Sequence, residues 1–409
     1  MASLDMTSFA SALKQHYTDE KIENMVYKDN PLLAMISKYE DFGGINLKLP
    51  IKYGIPQGRS ATFLDAKNNA TSSKYEAFLL ERVKNYCIAY IDNETLEASK
   101  GNANAFIEAA TNEIDGAIES ITRSLAIGLF GDGSGSIGVV GSTYSSTDTS
   151  FTLATIEDVT NFEVGMSLVT ANATTGAETN VADVTVTSVN RDTGVIGLSG
   201  TVGFNAAVAN DYVFPEGDLS ASAGTDNLKM ISGLNGWVPA SAHTSATVFG
   251  VNRSVDPTRL GGIRFDASSL PLEEGLIGAA SRVAREGGKP DVCFMNYSNF
   301  ADLEKALGSK VSYVDVKVKP EIGFRGILIH GPRGPIKVIP DQNCPNNAAF
   351  MLQLDMWKLY SLGKAPKILD SDGLKFLRDS TADAVEVRVG YYAQLGCRAP
   401  GWNVRVKLA

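Results

Sequence analysis

Histidine is scarce in this 409-residue chain, with only His16, His243 and His330, all far apart. Cysteine is nearly as rare: Cys87, Cys293, Cys344 and Cys397 lie singly, with no CxxC or CxH spacing. That scatter leaves no local zinc or disulfide framework. Nothing local supports a Ser-His or Cys-His catalytic pair. No GxSxG, HExxH or EF-hand loop is present. The expected catalytic, cofactor-binding and metal residues are therefore none, and no cofactor is expected. Apolar runs stay short of the ~20 residues that a membrane helix needs. The start, Met1-Ala2-Ser3-Leu4-Asp5-Met6-Thr7, lacks the basic region and apolar core of a signal peptide. No membrane is expected as a partner, and folding is expected in a cytoplasm.

Basic residues are missing from one place in particular. From 143 to 218 there are ten acids and a single base, Arg191. The chain's net charge of -9 is that of this segment, since 36 bases face 36 acids elsewhere. The segment reads as a solvated appendage, and the balanced remainder suits close packing against other copies. An acidic total argues against tight binding to phosphates. With 44% hydrophobic residues the chain can bury a core in two or three domains.

What is present centres on residues 102–130. Ile107, Ala110, Ile114, Ile118, Ile121, Leu125 and Leu129 recur at steps of three and four, the period of one helix face. Acids lie early, Arg123 lies late, and Gly131-Asp132-Gly133-Ser134-Gly135 stops the run. Such a helix, on the order of 40 Å long, needs a broad platform beside it. Before it, residues 1–42 supply apolar contacts without one period, so they predict short helices and extended chain lying across something else. Ile45, Leu47, Leu49 and Ile51 alternate as a strand, and 75–91 resumes that pattern. The polar stretch 57–74 between them makes an oversized hairpin, and a loop of that length usually has a job.

After the helix the texture changes. Short runs at 151–153, 164–170, 184–189, 195–198 and 211–214 predict strands, separated by turn chemistry at Thr175-Gly176 and Asp192-Thr193-Gly194. They imply a small β-sandwich or barrel, with Phe151, Phe162, Leu168, Val186 and Ile196 as its core. Farther on, 262–266 and 291–295 read as strands and 272–286 as a helix. A helix over 296–307 follows, with Ser298 as its cap. Residues 322–363 are rich in strands, and two alternating strands close the chain within 384–409.

Several motifs have bland readings. Gly131 to Ser136 lacks the Lys-Ser/Thr of a phosphate loop and ends a helix instead of opening one. Gly331-Pro332-Arg333-Gly334-Pro335 is turn chemistry. Glu273 and Glu274 suit a helix start. Lys67 and Lys74 read as solvated charges, and Trp237, Trp357 and Trp402 as packing anchors.

The order of parts, with Leu129-Phe130-Gly131-Asp132-Gly133, Met295-Asn296-Tyr297-Ser298-Asn299-Phe300-Ala301-Asp302-Leu303, Phe324-Arg325-Gly326-Ile327, Val338-Ile339-Pro340-Asp341-Gln342-Asn343-Cys344-Pro345 and Leu354-Asp355-Met356-Trp357-Lys358-Leu359, resembles the major capsid proteins of tailed double-stranded DNA bacteriophages. The resemblance covers everything but the acidic insert, and the order is more specific than any one motif. It implies an α+β fold. That fold has an N-terminal arm at 1–43, an extended loop hairpin at 44–91, and a spine helix with peripheral domain at 92–142. An inserted acidic β-domain at 143–218, an axial α/β domain at 219–383 and C-terminal strands of the peripheral domain at 384–409 complete it. The implied function is a structural, non-enzymatic subunit that assembles as pentamers and hexamers around viral DNA. The implied partners are other copies, a separate scaffolding protein, a portal, decoration proteins, and packaged DNA by weak contact. The implied place is the virion capsid, assembled in the host cytoplasm. Two alternatives stand beside it: an encapsulin-like compartment shell, and an enzyme with a β accessory domain.

Overall fold

The computed structural model describes residues 30–94, 103–143, 148–174, 178–179, 184–199, 208–219, 229–242, 247–308, 313–319, 322–369, 377–378 and 382–409. Most of the expected N-terminal arm lies outside them, as do His16, His243 and the Thr175-Gly176 turn.

In chain order, helix α1 (Pro31–Met35) leads to β1 (Ser37–Tyr39) and β2 (Asn46–Gly54). Then come α2 (Phe63–Asn68), β3 (Lys74–Glu81), β4 (Val83–Asp92) and α3 (Ala103–Phe130). A β-rich stretch follows: β5 (Gly138–Val139), β6 (Ser150–Thr152), β7 (Ser167–Ala171), β8 (Val184–Asn190), β9 (Val195–Leu198) and β10 (Tyr212–Pro215). After α4 (Leu234–Trp237), β11 (Thr247–Val248) and β12 (Val251–Asn252) precede β13 (Ile263–Asp266), α5 (Leu272–Arg285), β14 (Val292–Met295) and α6 (Tyr297–Leu307). The rest is strand: β15 (Tyr313–Lys319), β16 (Ile322–Gly331), β17 (Gly334–Pro340), β18 (Ala348–Leu352), β19 (Trp357–Ser361), β20 (Lys367–Ile368), β21 (Leu377–Arg378), β22 (Ala384–Cys397) and β23 (Val404–Lys407). The chain is α+β, and it divides into two units.

Among the described residues, one unit is drawn from Lys84–Leu125 and Ser361–Ala393. Here β22 pairs with β4, β20 and β21. Val387, Val389, Tyr391 and Ala393 of β22 are buried, as are Ala89 and Ile91 of β4 and Ala117, Ile121 and Leu125 of α3. The amide of Asn85 donates to the Ser124 hydroxyl at 2.9 Å, tying strand to helix. Of the apolar period read from the sequence, Ile114 and Ile118 are half-buried and Ile121, Leu125 and Leu129 are buried, while the side chains of Ile107 and Ala110 lie outside the described residues.

The other unit takes Asn30–Val83, Ala126–Tyr360 and Gln394–Ala409. Its seven-stranded sheet runs β13-β23-β18-β14-β17-β16-β15. Helices α5 and α6 cover one face, where Leu276, Val283 and Leu303 meet Cys293, Met295, Val338, Met351, Val404 and Val406. Phe130, at the end of α3, packs edge-on against Phe294 at 6.4 Å and beside Phe350 at 6.2 Å. The expectation placed both terminal strands with the peripheral domain. Instead β23 joins this sheet between β13 and β18, because Val404 and Val406 alternate into the core under α5. Asn296, not Ser298, caps α6, since its side chain accepts from the Ser298 amide at 3.1 Å.

Within this unit, β5 to β10 form a six-stranded sheet in the order β5-β10-β7-β8-β9-β6. The Val140–Leu153 bridge and the Gly141 amide on the Thr152 carbonyl, at 2.8 Å, bring its two edges together. The result is a small barrel. Phe151, Phe162, Leu168, Val186 and Ile196 all lie in its core, joined by Ile137 and Val140 from just upstream of residue 143. Arg191 is the staple of the barrel. Its guanidinium donates to the Phe162 and Val159 carbonyls at 3.3 and 3.5 Å and pairs with Glu163 at 2.9 Å. The side chain is partly exposed, so Arg191→Ala should cost only about 1 kcal/mol. Hydrogen exchange at the amides of β8 and β9 checks it: protection should drop there, and unchanged protection would contradict the role.

Helix α1 is anchored from 309 residues away. Pro31 opens it, and Leu32, Leu33 and Ile36 are buried. The Asp341 carboxylate accepts from the Leu32 amide at 3.2 Å and from the Asn343 amide at 3.0 Å. Burial pushes Asp341 up to about 6. A raised carboxyl means that the folded chain holds this proton more tightly than the unfolded one. The stability it contributes is therefore full below about pH 4 and lost as pH rises to about 6. Asp341→Asn should flatten that part of the stability curve, measured by urea unfolding between pH 4.5 and 7. An identical slope in both proteins would contradict this.

Candidate assembly surfaces

No cluster of three or more His, Cys, Asp or Glu side chains able to hold a metal occurs among the described residues. The motifs singled out from sequence are local structure. In 131–136 the Ser134 amide donates to Asp132 at 2.9 Å and the Ser136 amide to the Ser134 hydroxyl at 3.3 Å. Those amides close a turn and do not converge on an anion. Residues 331–335 join β16 to β17, and Arg333 donates to the carbonyls of Gly287 and Gly288. Glu273 and Glu274 occupy the first turn of α5. Cys293, Cys344 and Cys397 are free and buried, and burial pushes the Cys397 thiol up to about 12. Trp237 and Trp357, distant in sequence, meet edge-on at 6.3 Å in the core.

Among the described residues, the β2–β3 hairpin carries a long run with no buried side chain. Its root is buried through Leu49, Ile51, Phe78 and Leu80. From residue 52 to residue 77 no side chain is buried. The sequence predicts a polar loop here, but the tip is built. Thr62 caps α2 by accepting from the Asp65 amide at 3.4 Å, and its hydroxyl donates to the Asp65 carboxylate at 2.5 Å. The Gln57 and Thr71 backbones are joined by a 2.9 Å hydrogen bond. Gly58 sits at φ +130°, where a Cβ would lie 2.7 Å from Ala70 Cα. This ordered tip holds apolar side chains in water: Phe63 is 84% exposed, Leu64 66%, Ile55 65% and Tyr75 65%. The strand expected over 75–91 is also two strands. It breaks at Arg82, whose guanidinium donates to the Phe42 carbonyl and lies 4.9 Å from the Phe42 ring.

A groove of about 520 Å³ lies at the hairpin root, lined by Ile51, Tyr53, Arg259, Glu286, Arg398 and Trp402 among others. Two of its charged groups have other partners: Arg259 donates to the Tyr53 carbonyl at 2.6 Å, and Glu286 pairs with Arg285 at 3.2 Å. Nothing there sets a nucleophile beside a base.

Residues 214–383, which include six of the seven strands of the large sheet, match the family model described as SU10 major capsid protein. No curated protein matches the sequence. Among solved structures, the chain is similar to one from the cyanophage A-1(L) capsid asymmetric unit, with TM-score 0.54 and 11% identity over 97% of both chains. It is also similar to the capsid of a native GTA particle, with TM-score 0.50 and 8% identity over 100% of both. An encapsulin complex from Synechococcus elongatus PCC 7942 matches at TM-score 0.47, with 9% identity over 100% of this chain and 96% of that one, too distant to argue from. Residues 214–383 thus resemble a major capsid protein family, and the chain has the fold of these phage-type capsid shell proteins.

Proposed function

We propose that this structural shell protein builds a tailed-phage head as pentamers and hexamers around double-stranded DNA. The observation that carries the reading is the hairpin from 52 to 77, which is ordered, unburied and tipped with Phe63 and Leu64. A monomeric protein gains nothing from holding such groups in water, whereas a tiling subunit buries them on a neighbour. The subunit performs no reaction of its own. A separate scaffolding protein sets curvature, a portal and decoration proteins complete the particle, and DNA touches the inner surface weakly. Assembly takes place in the host cytoplasm and ends in the virion.

Expression with the phage's scaffolding protein, followed by sedimentation and electron microscopy, should give shells, tubes or capsomers. A compact monomer that scaffold cannot assemble would contradict the reading. Particles filled with an enzyme in place of DNA would turn it toward a compartment shell.

A further inference from the structure

We propose that the basic, apolar tip of the β2–β3 hairpin docks on the acidic rim of the β5–β10 barrel of a second copy of this chain. The inference rests on the shell reading above and names the receiving surface. Two independent features carry it. The tip region from 52 to 77 has Lys52, Arg59, Lys67 and Lys74 against Asp65 and Glu76, and Asp65 already binds Thr62. Its exposed Ile55, Phe63 and Leu64 lie among those cations.

The barrel has the opposite character. Its one base, Arg191, is engaged by the Val159 and Phe162 carbonyls and by Glu163. That same contact draws the β8–β9 turn against the short 3-10 helix Ile156–Asn161. Gly194 in the turn is so close that a Cβ there would lie 3.3 Å from Ile156 Cγ1. Glu157, Asp158, Glu163 and Asp192 therefore share one rim. Ile156 and Val164 stand in it with 50% and 63% of their surface exposed. Burial, and then the neighbouring charge of Glu157, push the Asp158 carboxyl up to about 7. Asp158 is thus partly protonated near neutral pH, and Glu157, Glu163 and Asp192 supply most of the rim's charge.

Tip and rim thus carry opposite charge, and each exposes bare apolar side chains. Because they are different patches, the contact is heterologous, and it passes from copy to copy until a ring closes. The charges set encounter and register, while the apolar groups supply the affinity.

The test is a charge swap in the full-length chain, under conditions in which the wild type forms shells. Lys67→Glu with Lys74→Glu, and separately Glu157→Lys with Asp192→Lys, should each lower the shell yield at least about tenfold by sedimentation. All four changes together should restore it to within about threefold of wild type. The unassembled variants should keep the wild-type unfolding midpoint. If a reversed pair does not fold, Glu157→Gln with Asp192→Asn replaces it, with a loss of about threefold expected. Wild-type yield from the altered barrel, or a combined variant no better than either pair, would overturn the docking while leaving the shell reading intact. A wild type that forms no shells would remove the shell reading itself.

Discussion

A subunit in which residues 57–73 are replaced by a short Gly-Ser link should fold and form no shells. The fold survives because the missing residues bury nothing. The root of the hairpin keeps Leu49, Ile51, Phe78 and Leu80, and the Leu79 amide still reaches the Phe249 carbonyl at 2.8 Å. The hydrogen bonds lost, between Gln57 and Thr71 and between Thr62 and Asp65, lie inside the deleted tip. Assembly fails because Phe63 and Leu64 go with it. Fully burying such side chains is worth about 1.5–3 kcal/mol each. That gain recurs at every neighbour in a lattice, so even a weak contact decides between subunits and shells. Circular dichroism should report a native subunit with an unfolding midpoint within a few degrees of wild type, while sedimentation shows no particles. Normal shells from the deletion would contradict the account.

Arg253→Ala should destabilise the subunit by about 3–5 kcal/mol, the larger effect on folding. Arg253 is fully buried, and its guanidinium donates to the Gly236 and Trp237 carbonyls at 2.8 and 3.2 Å. It lies 5.2 Å from the Trp237 ring and 5.5 Å from the Phe78 ring, so it ties the hairpin root to the core by cation–π contact. Burial lowers its pKa to about 10, which still leaves it charged at neutral pH. Truncation removes the cation, opens a cavity and strands two carbonyls. Urea unfolding of the unassembled subunit measures the loss, and a change below about 1 kcal/mol would contradict it. Arg253→Lys should recover only part, since an ammonium cannot reproduce the planar fork.

Much of the fold was legible because its signals were local. The three-and-four spacing through Ile121 and Leu125 predicted a helix over 102–130, and α3 spans Ala103–Phe130. The strands of the barrel were readable from alternation and from Asp192-Thr193-Gly194, which turns β8 into β9. What was missed depends on distance through space or on short elements. Helix α2 is six residues with none buried, too brief for a period, although Thr62 and Asp65 stood at capping spacing. Asn296 displaced Ser298 because cap geometry depends on where the strand releases the chain. The split of 75–91 was marked only by Glu81-Arg82, and no periodicity says that β3 and β4 serve different sheets. Arg253 gave no sign of burial, because its partners Phe78 and Trp237 are remote in sequence. The tip's apolar pair, Phe63-Leu64, stands among polar residues whose composition predicts a loop.

The most direct measurement is a cryo-electron microscopy map of the particles formed by the full-length chain. The account predicts that residues 57–73 of each copy lie against a neighbouring copy, with the side chains of Phe63 and Leu64 covered. Subunits found as separate globules, with that tip bare in solvent and a ligand held in a polar cleft, would contradict it.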